Sequence, residues 1–266
     1  VIGLDAYKID VEVDILNSLP AVSIVGLPDT AVKESRDRIE SALRESGMKF
    51  PRRAITINLA PADVRKEGSL YDVPIAIAVL AADGKIPLDK LGQYMMVGEV
   101  SLDGGVKPVK GCLPFAILAR KMNLKGIIVP RENACEAGVV NNLEVLIADH
   151  LKDVIAFMMG EGQMERKEMN TREMFQQAER TFSSDFADVK GQENVKRALE
   201  VAAAGGHNIL LVGPPGSGKS MMSKRLPGIL PDMTREEMLL STGIYSVAGL
   251  TNKQNPLISA RPFRSP

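Results

Sequence analysis

The sequence predicts an α/β protein of two units in tandem: a mixed α/β domain and then the opening part of a second α/β domain. Three observations carry this. Strand-like and helix-like segments intermix over residues 1–160 without a regular strand–helix alternation, the pattern of a mixed sheet. Over 161–184 Gly, Val and Ile almost vanish while Glu, Arg, Lys, Met and Gln take over, which reads as a charged helical linker with solvated charges. After it β-rich, glycine-rich sequence returns in 185–266, and no internal repeat is visible.

Each element has its own local signature. From Tyr7 to Ile15 apolar and polar residues alternate, as in a strand buried on one face. Asn17–Pro20 breaks the run and Ala21–Val25 is a second short apolar stretch, so the pair reads as a β-hairpin. Asp29 and Thr30 can cap a helix over Ala31–Ser46, stopped by Gly47 and Pro51. Ile55–Leu59 is a strand, Pro61–Ser69 a polar loop, and Pro74–Ala82 a dense apolar helix with proline tolerated in its first turn. Met95–Glu99 and Val106–Val109 are strands about the turn Asp103-Gly104-Gly105. Pro114–Met122 is a helix, Gly126–Val129 and Leu143–Ala148 are strands, and Leu151–Met159 is a last amphipathic helix. The apolar runs Ile55–Leu59, Ile75–Leu80 and Ile127–Val129 are the expected core.

Composition excludes several classes. With 45% hydrophobic and 25% charged residues and a formal net charge of zero, the chain reads as globular, and no apolar run approaches the ~20 residues of a membrane span. No signal-peptide pattern precedes the first strand-like segment. Two cysteines, Cys112 and Cys135, cannot build a disulfide framework and read as buried small residues. Two histidines, His150 and His207, exclude a multi-histidine metal site, and His207 reads as a core or surface residue rather than a nucleotide contact. The neutral balance argues against a wholesale basic DNA binder but leaves room for a local basic face or pore. Without Trp and with 4% aromatics, base stacking is not the expected mode of recognition. Arg52, Arg53, Arg65, Lys66, Arg261 and Arg264 are the basic residues that DNA could meet, and each reads first as a solvated surface charge.

The strongest chemical signal is Gly213-Pro214-Pro215-Gly216-Ser217-Gly218-Lys219-Ser220, a match to G-x-x-x-x-G-K-[ST]. The apolar run Asn208–Val212 before it is expected to be a buried strand, and Ser220–Leu226 a helix. Glycines let such a loop wrap with N–H groups aimed at phosphate oxygens. Lys219 is placed to reach the β- and γ-phosphates of ATP, and the Ser220 hydroxyl to ligate Mg²⁺. A triphosphatase also needs an acidic strand to hold Mg²⁺ and orient water, and none follows Ser220 here. Weak or absent hydrolysis by this chain is therefore expected, with no catalytic residue assigned.

Phe186-Ala187-Asp188-Val189-Lys190-Gly191-Gln192 ahead of a helix over Glu193–Ala204, together with the glycine loop, resembles the AAA+ ATPases. That resemblance places Val189, Gly191 and Gln192 against the adenine ring. A wider set carries a more specific one: Ile24-Val25-Gly26-Leu27-Pro28-Asp29, Glu34-Ser35-Arg36, Ile57-Asn58-Leu59-Ala60-Pro61-Ala62-Asp63, Lys66-Glu67-Gly68, Tyr71-Asp72-Val73-Pro74, Ile244–Gly249 and Arg261–Pro266. With these the chain resembles the bacterial Mg-chelatase-like AAA+ proteins of the ComM (YifB) type along essentially its whole length. The resemblance implies a cytoplasmic ATPase that binds ATP or ADP with Mg²⁺, assembles as a homo-hexamer, and acts as a branch-migration helicase on single-stranded or branched DNA in natural transformation. Members of that family continue into the acidic strand and an arginine finger. The same ATPase residues fit an inserting ATPase of the Mg-chelatase kind, which loads metal into a porphyrin. A vestigial nucleotide site on a binding scaffold is a further reading.

Gly98-Glu99-Val100-Ser101-Leu102-Asp103-Gly104 and Ile127-Ile128-Val129-Pro130-Arg131-Glu132-Asn133 resemble the proteolytic domain of Lon, making 1–160 a Lon-protease-like domain. That raises an ATP-dependent protease as another reading. Lon-type proteases need a Ser–Lys pair. Laying their motif on Lys66-Glu67-Gly68 puts Leu70 where the serine belongs, and the second segment puts Leu113 where the lysine belongs. Ser69 is one residue away, so its side chain points elsewhere, and Lys107 and Lys110 read as solvated. A scaffold without peptidase activity is expected.

Overall fold

The computed structural model describes residues 3–170, 173–175, 185–251 and 256–264. The chain forms two compact units: Val1–Thr171 with Gly243–Pro256, and Arg172–Thr242 with Leu257–Pro266. Residues 171–172 and 176–184 of the expected 161–184 linker lie outside the described residues.

The first unit is mixed α/β, as its sequence predicts. Strand β1 (Asp10–Leu16) alternates exposed and half-buried residues along its length. Strand β2 (Ala21–Val25) does the same. They do not form the expected hairpin. Strand β3 (Ala54–Ala60) lies between them, antiparallel to β1 and parallel to β2. The physical reason is in β3: Ile55, Ile57 and Leu59 are all but fully buried, so the most apolar strand takes the central place with both edges paired. Val13, Ile57 and Ile24 then line up in one row across the sheet.

The single helix expected over Ala31–Ser46 is two. Asp29 caps a short turn, α1 (Thr30–Lys33), by accepting from the Val32 N–H at 2.8 Å. Helix α2 (Ser35–Glu45) comes next and buries Ile39, Ala42 and Leu43, the i, i+3, i+4 stripe. Helix α3 (Asp72–Ala82) is buried on nearly every side. A second sheet holds β4 (Tyr94–Met96), β7 (Gly126–Pro130) and β8 (Glu144–Ala148), all parallel with β7 central. Between β4 and β7 come the small hairpin of β5 (Glu99–Val100) and β6 (Val106–Lys107) and helix α4 (Cys112–Lys121). The turn α5 (Ala134–Ala137) and helix α6 (Leu151–Met159) complete the order. The core joins Ile39, Leu43, Ile57, Leu80, Ile128 and Val154 from α2, β3, α3, β7 and α6. Charged residues past the last expected element also belong to this unit: Glu165 C=O accepts from Ile147 N–H and Lys167 N–H donates to Val145 C=O, each at 2.9 Å, alongside β8.

One charged pair fastens these layers. Asp72, fully buried at the start of α3, accepts from Arg38 Nε at 2.8 Å and Arg38 Nη2 at 2.9 Å. It also accepts from the Val100 N–H at 3.1 Å, while Arg38 reaches the Ala31 carbonyl at 2.9 Å. Burial pushes the Asp72 carboxyl above its ordinary range even though the guanidinium and the Val100 N–H favour its charged form.

Residues 243–256 are part of this first unit. Helix α4 starts at Gly111, which has a left-handed backbone and no side chain to cap with. Ser246 supplies the cap: its C=O accepts from Gly111 N–H at 3.0 Å and its hydroxyl from Leu113 N–H at 3.3 Å.

The regular elements among the second unit's described residues are helices. Helix α7 (Glu193–Gly205), helix α8 (Lys219–Arg225) and helix α9 (Arg235–Ala248), which crosses into the segment counted with the first unit, are its elements. Val189, Leu199 and Met222 form a small core, with Leu211 and Leu226 packed on it. The strand expected over Asn208–Val212 is not formed: the segment has no ladder partner among the described residues. Leu210 and Val212 are 84% and 86% exposed, and Leu211 alone turns inward. Helix α9 lies outside the expected elements, although Thr234 and Glu237 spell its start. Thr234 N–H donates to Glu237 Oε2 at 2.7 Å and Glu237 N–H to Thr234 Oγ1 at 3.2 Å, a capping box.

Removing Arg38 leaves Asp72 as an uncompensated buried charge, which costs about 3–5 kcal/mol. Urea unfolding of Arg38→Ala should show a loss of that size, and a loss under about 1 kcal/mol would show that the pair is not a fastening point.

Candidate functional site

The glycine loop is built as its sequence requires. Gly216 and Gly218 have φ of +80° and +87°, in the left-handed region that only glycine enters without strain. A side chain at Gly213 would come within 2.9 Å of the Ser217 hydroxyl. Gly218 precedes the first residue of α8, so the loop runs directly into the helix that carries Lys219 and Ser220. The Lys219 ammonium lies over the loop, donating to the Gly213 carbonyl at 2.7 Å, the Pro214 carbonyl at 2.8 Å and Ser217 Oγ at 3.2 Å. Ser220 and Pro215 are exposed. These residues fit a polyphosphate: the space at Gly216 is open, and the loop's one cation lies on the loop's own carbonyls, which a phosphate oxygen could replace.

The residues that the AAA+ resemblance places at the adenine divide. Val189 is 3% exposed and packs with Leu199 and Met222, so its side chain is core. Gly191 and Gln192 are exposed, with φ of +71° and +60°, just ahead of α7. Their main chain is at the surface, whereas the Val189 side chain is held in the core. His207 is exposed.

At the Lon-like segments the residues in question are packed or paired in different ways. Leu113 is fully buried on α4. Ser69 donates its hydroxyl to Glu99. Lys66, read from sequence as solvated and as a residue DNA could meet, is fully buried, with its ammonium on the Pro61 carbonyl. Its main chain brackets the Gly26-Leu27-Pro28-Asp29 turn: Lys66 N–H donates to Leu27 C=O at 3.1 Å and Asp29 N–H to Lys66 C=O at 2.9 Å. Burial pushes the Lys66 ammonium below its ordinary range. A lysine looks solvated in sequence because its charge is visible there and its tertiary cover is not. Lys107 and Lys110 are exposed.

Three of the remaining basic candidates meet acidic side chains. Arg53 bonds Asp83, Arg65 is 3.3 Å from Glu67, and Arg261 meets Glu237 at 3.2 Å. Arg52 and Arg264 are exposed, while Ser265 and Pro266 lie outside the described residues. Asn133, from the second Lon-like segment, exchanges hydrogen bonds with Val109 at 2.9 and 2.7 Å. The buried Glu136 accepts from Asn133 Nδ2 at 2.7 Å. Cys112 is buried and Cys135 half-buried, both free thiols. Among the described residues no group of His, Cys, Asp and Glu could hold a metal, and no helix is long and apolar enough to cross a membrane.

Two family models match the chain. One, described as subunit ChlI of Mg-chelatase, covers residues 11–133; the other, described as magnesium chelatase, subunit ChlI, covers 185–266. A protein named YifB in Escherichia coli is 47% identical over 265 residues, covering all of this chain and 51% of that protein. The competence protein ComM of Haemophilus influenzae is 40% identical over 272 residues, covering 99% of this chain and 52% of its own length. Lon protease 2 of Bacillus subtilis is 35% identical over 101 residues, 38% of this chain and 18% of that enzyme. The chain thus spans about half the length of the full-coverage relatives it matches.

The burial of Lys66 makes a direct prediction. Under native conditions an amine-reactive acetylating reagent should modify Lys107 and Lys110 well before Lys66, with peptide mass mapping as the readout. Labelling of Lys66 at the same rate would place it at the surface.

Proposed function

This chain belongs to the Mg-chelatase ChlI-like family of the YifB and ComM type, and from that premise we propose that it is an ATP-binding AAA+ motor protein. The observation that carries the reading is the glycine loop, with its two left-handed glycines and the Lys219 ammonium held on the loop's own carbonyls. Lys219 would exchange the Gly213 and Pro214 carbonyls for phosphate oxygens, which are stronger acceptors because they are charged. The N–H groups between Gly216 and Ser220 would cradle the phosphates. Ser220 would place its hydroxyl on Mg²⁺, and Gly191 and Gln192 would border the base. The bound metal nucleotide supplies the phosphoanhydride and its hydrolysis energy. This chain's residues bind and orient it.

In this reading the full-length protein forms a ring, a homo-hexamer, and moves on branched or single-stranded DNA as a branch-migration helicase in natural transformation or recombination. The support is similarity along the whole chain to a protein named for competence. A second reading, a Mg-chelatase-like ATPase remodelling a protein or inserting metal, is favoured by the descriptions of the two matching family models. A gel shift with four-way-junction DNA set against a porphyrin titration separates the two. The Lon-like domain serves as a scaffold in both, because Leu70 and Leu113 can act neither as nucleophile nor as base.

Calorimetry is expected to show ATP binding that Lys219→Ala abolishes, since Lys219 is the one cation of the loop. Equal affinity of the two proteins would remove the nucleotide reading. Casein incubated with the chain should remain intact on a gel, with or without Ser69→Ala; cleavage lost in that variant would restore the protease.

A further inference from the structure

A groove of about 1110 Å³ runs across the first unit. Pro74, Ile77 and Ala78 of α3 line it, with Phe115 of α4 and Leu124 adding apolar surface. Tyr7–Val11, where the chain enters β1, also borders it, as do Met95 and Met96 of β4. Both strands are outermost in their sheets: among the described residues β1 pairs with β3 alone and β4 with β7 alone. An outermost strand carries N–H and C=O groups on its outer edge without ladder partners. The groove therefore combines an apolar lining with open strand edges.

Its charges decide what it suits. Lys8, Arg65 and Lys110 are balanced by Asp10, Glu67 and Glu99. A polyanion would release few counterions here, and nucleic-acid binding depends on that release. The Tyr71 phenol, also lining the groove, is pushed up to about 12, first by burial, and so stays a neutral hydrogen-bond donor. Met95 and Met96 offer flexible, polarisable side chains that adapt to varied apolar neighbours.

We propose that this groove docks an extended, uncharged segment of a partner protein, which adds as a strand to the open edge of β1 and turns alternate apolar side chains onto α3. Main-chain pairing supplies affinity without regard to sequence, and the period of two supplies the preference for alternating apolar residues. The bound segment is held without being cut, because the position of the Lon-type lysine is taken by Leu113, which is buried in α4 and offers no base. This reading is independent of the nucleotide site: it involves residues of the first unit only.

The probe is a fluorescein-labelled, end-capped peptide of alternating valine and threonine, about twelve residues long, enough to span the groove as a strand at ~3.4 Å per residue. Its control carries proline at every third position and cannot pair. Fluorescence anisotropy with the full 266-residue chain should show binding of the alternating peptide and none of the control. Ala78→Arg on the groove lining and, separately, Met95→Glu should each weaken binding at least about tenfold, with thermal melting confirming that one or both remain folded. Hydrogen exchange should slow at Tyr7–Val11 in the complex. The proposal is overturned by no binding, by equal binding of the proline control, or by unchanged affinity in a folded variant. It is equally overturned by absent protection at Tyr7–Val11 or by displacement with oligothymidine at matched concentration. Concentration-dependent dimerisation of the chain alone, lost in Ala78→Arg, would assign the groove to a second copy and also overturn it.

Discussion

The buried pair of Arg38 and Asp72 is the constraint on which the rest of the first unit depends. Asp72 opens α3 and Arg38 lies in the first half of α2, so their bidentate contact fixes two helices against each other. The third bond of Asp72, to the Val100 N–H, ties β5 to the same point, and Arg38 adds the carbonyl of α1. Four elements are thus registered by one ion pair. Apolar packing alone is tolerant of small slides between helices, whereas a bidentate carboxylate–guanidinium contact is directional. The apolar body of α3, which begins directly after Asp72, lines the groove as well as the core. The pair therefore fixes that lining together with the interior.

The second unit rests on a different balance. Its small core joins Val189, Leu199 and Met222, the last on the helix into which the glycine loop runs. The Lys219 ammonium is satisfied by carbonyls of its own loop. The exposed side chains of Leu210 and Val212 beside it are apolar surface that a neighbouring strand would cover.

In the first unit the residues that resemble a protease have structural work. Lys66 holds the Pro61 carbonyl and brackets the turn at Gly26–Asp29; Asn133 holds Val109 by two bonds; Ser69 is engaged with Glu99. A fold can thus keep the signature residues of a family while the side chains that would do chemistry, at Leu70 and Leu113, are apolar.

Local patterns were legible from sequence alone. The alternation of β1, the apolar run of β3, the stop at Gly47 and the glycine loop all appear where their residues demand, because side-chain period and backbone φ preference act within a few residues. The mixed α/β class and the core of Ile55–Leu59, Ile75–Leu80 and Ile127–Val129 come from the same patterns. Tertiary structure alone decided the pairings. β1 and β2 look like a hairpin because they are adjacent in sequence, but the more deeply buried β3 separates them. Lys66 carries a charge that sequence reads as solvated, and only its neighbours in space show it buried. Asn208–Val212 has the composition of a strand, yet a strand is a relation between two segments and no partner stands beside it among the described residues. Ser246 caps α4 from far along the chain, a contact that no local pattern encodes. Sequence fixes what each segment can be through short-range sterics and polarity; which segments meet is settled by burial summed over the whole unit, and so appears only once the chain is folded.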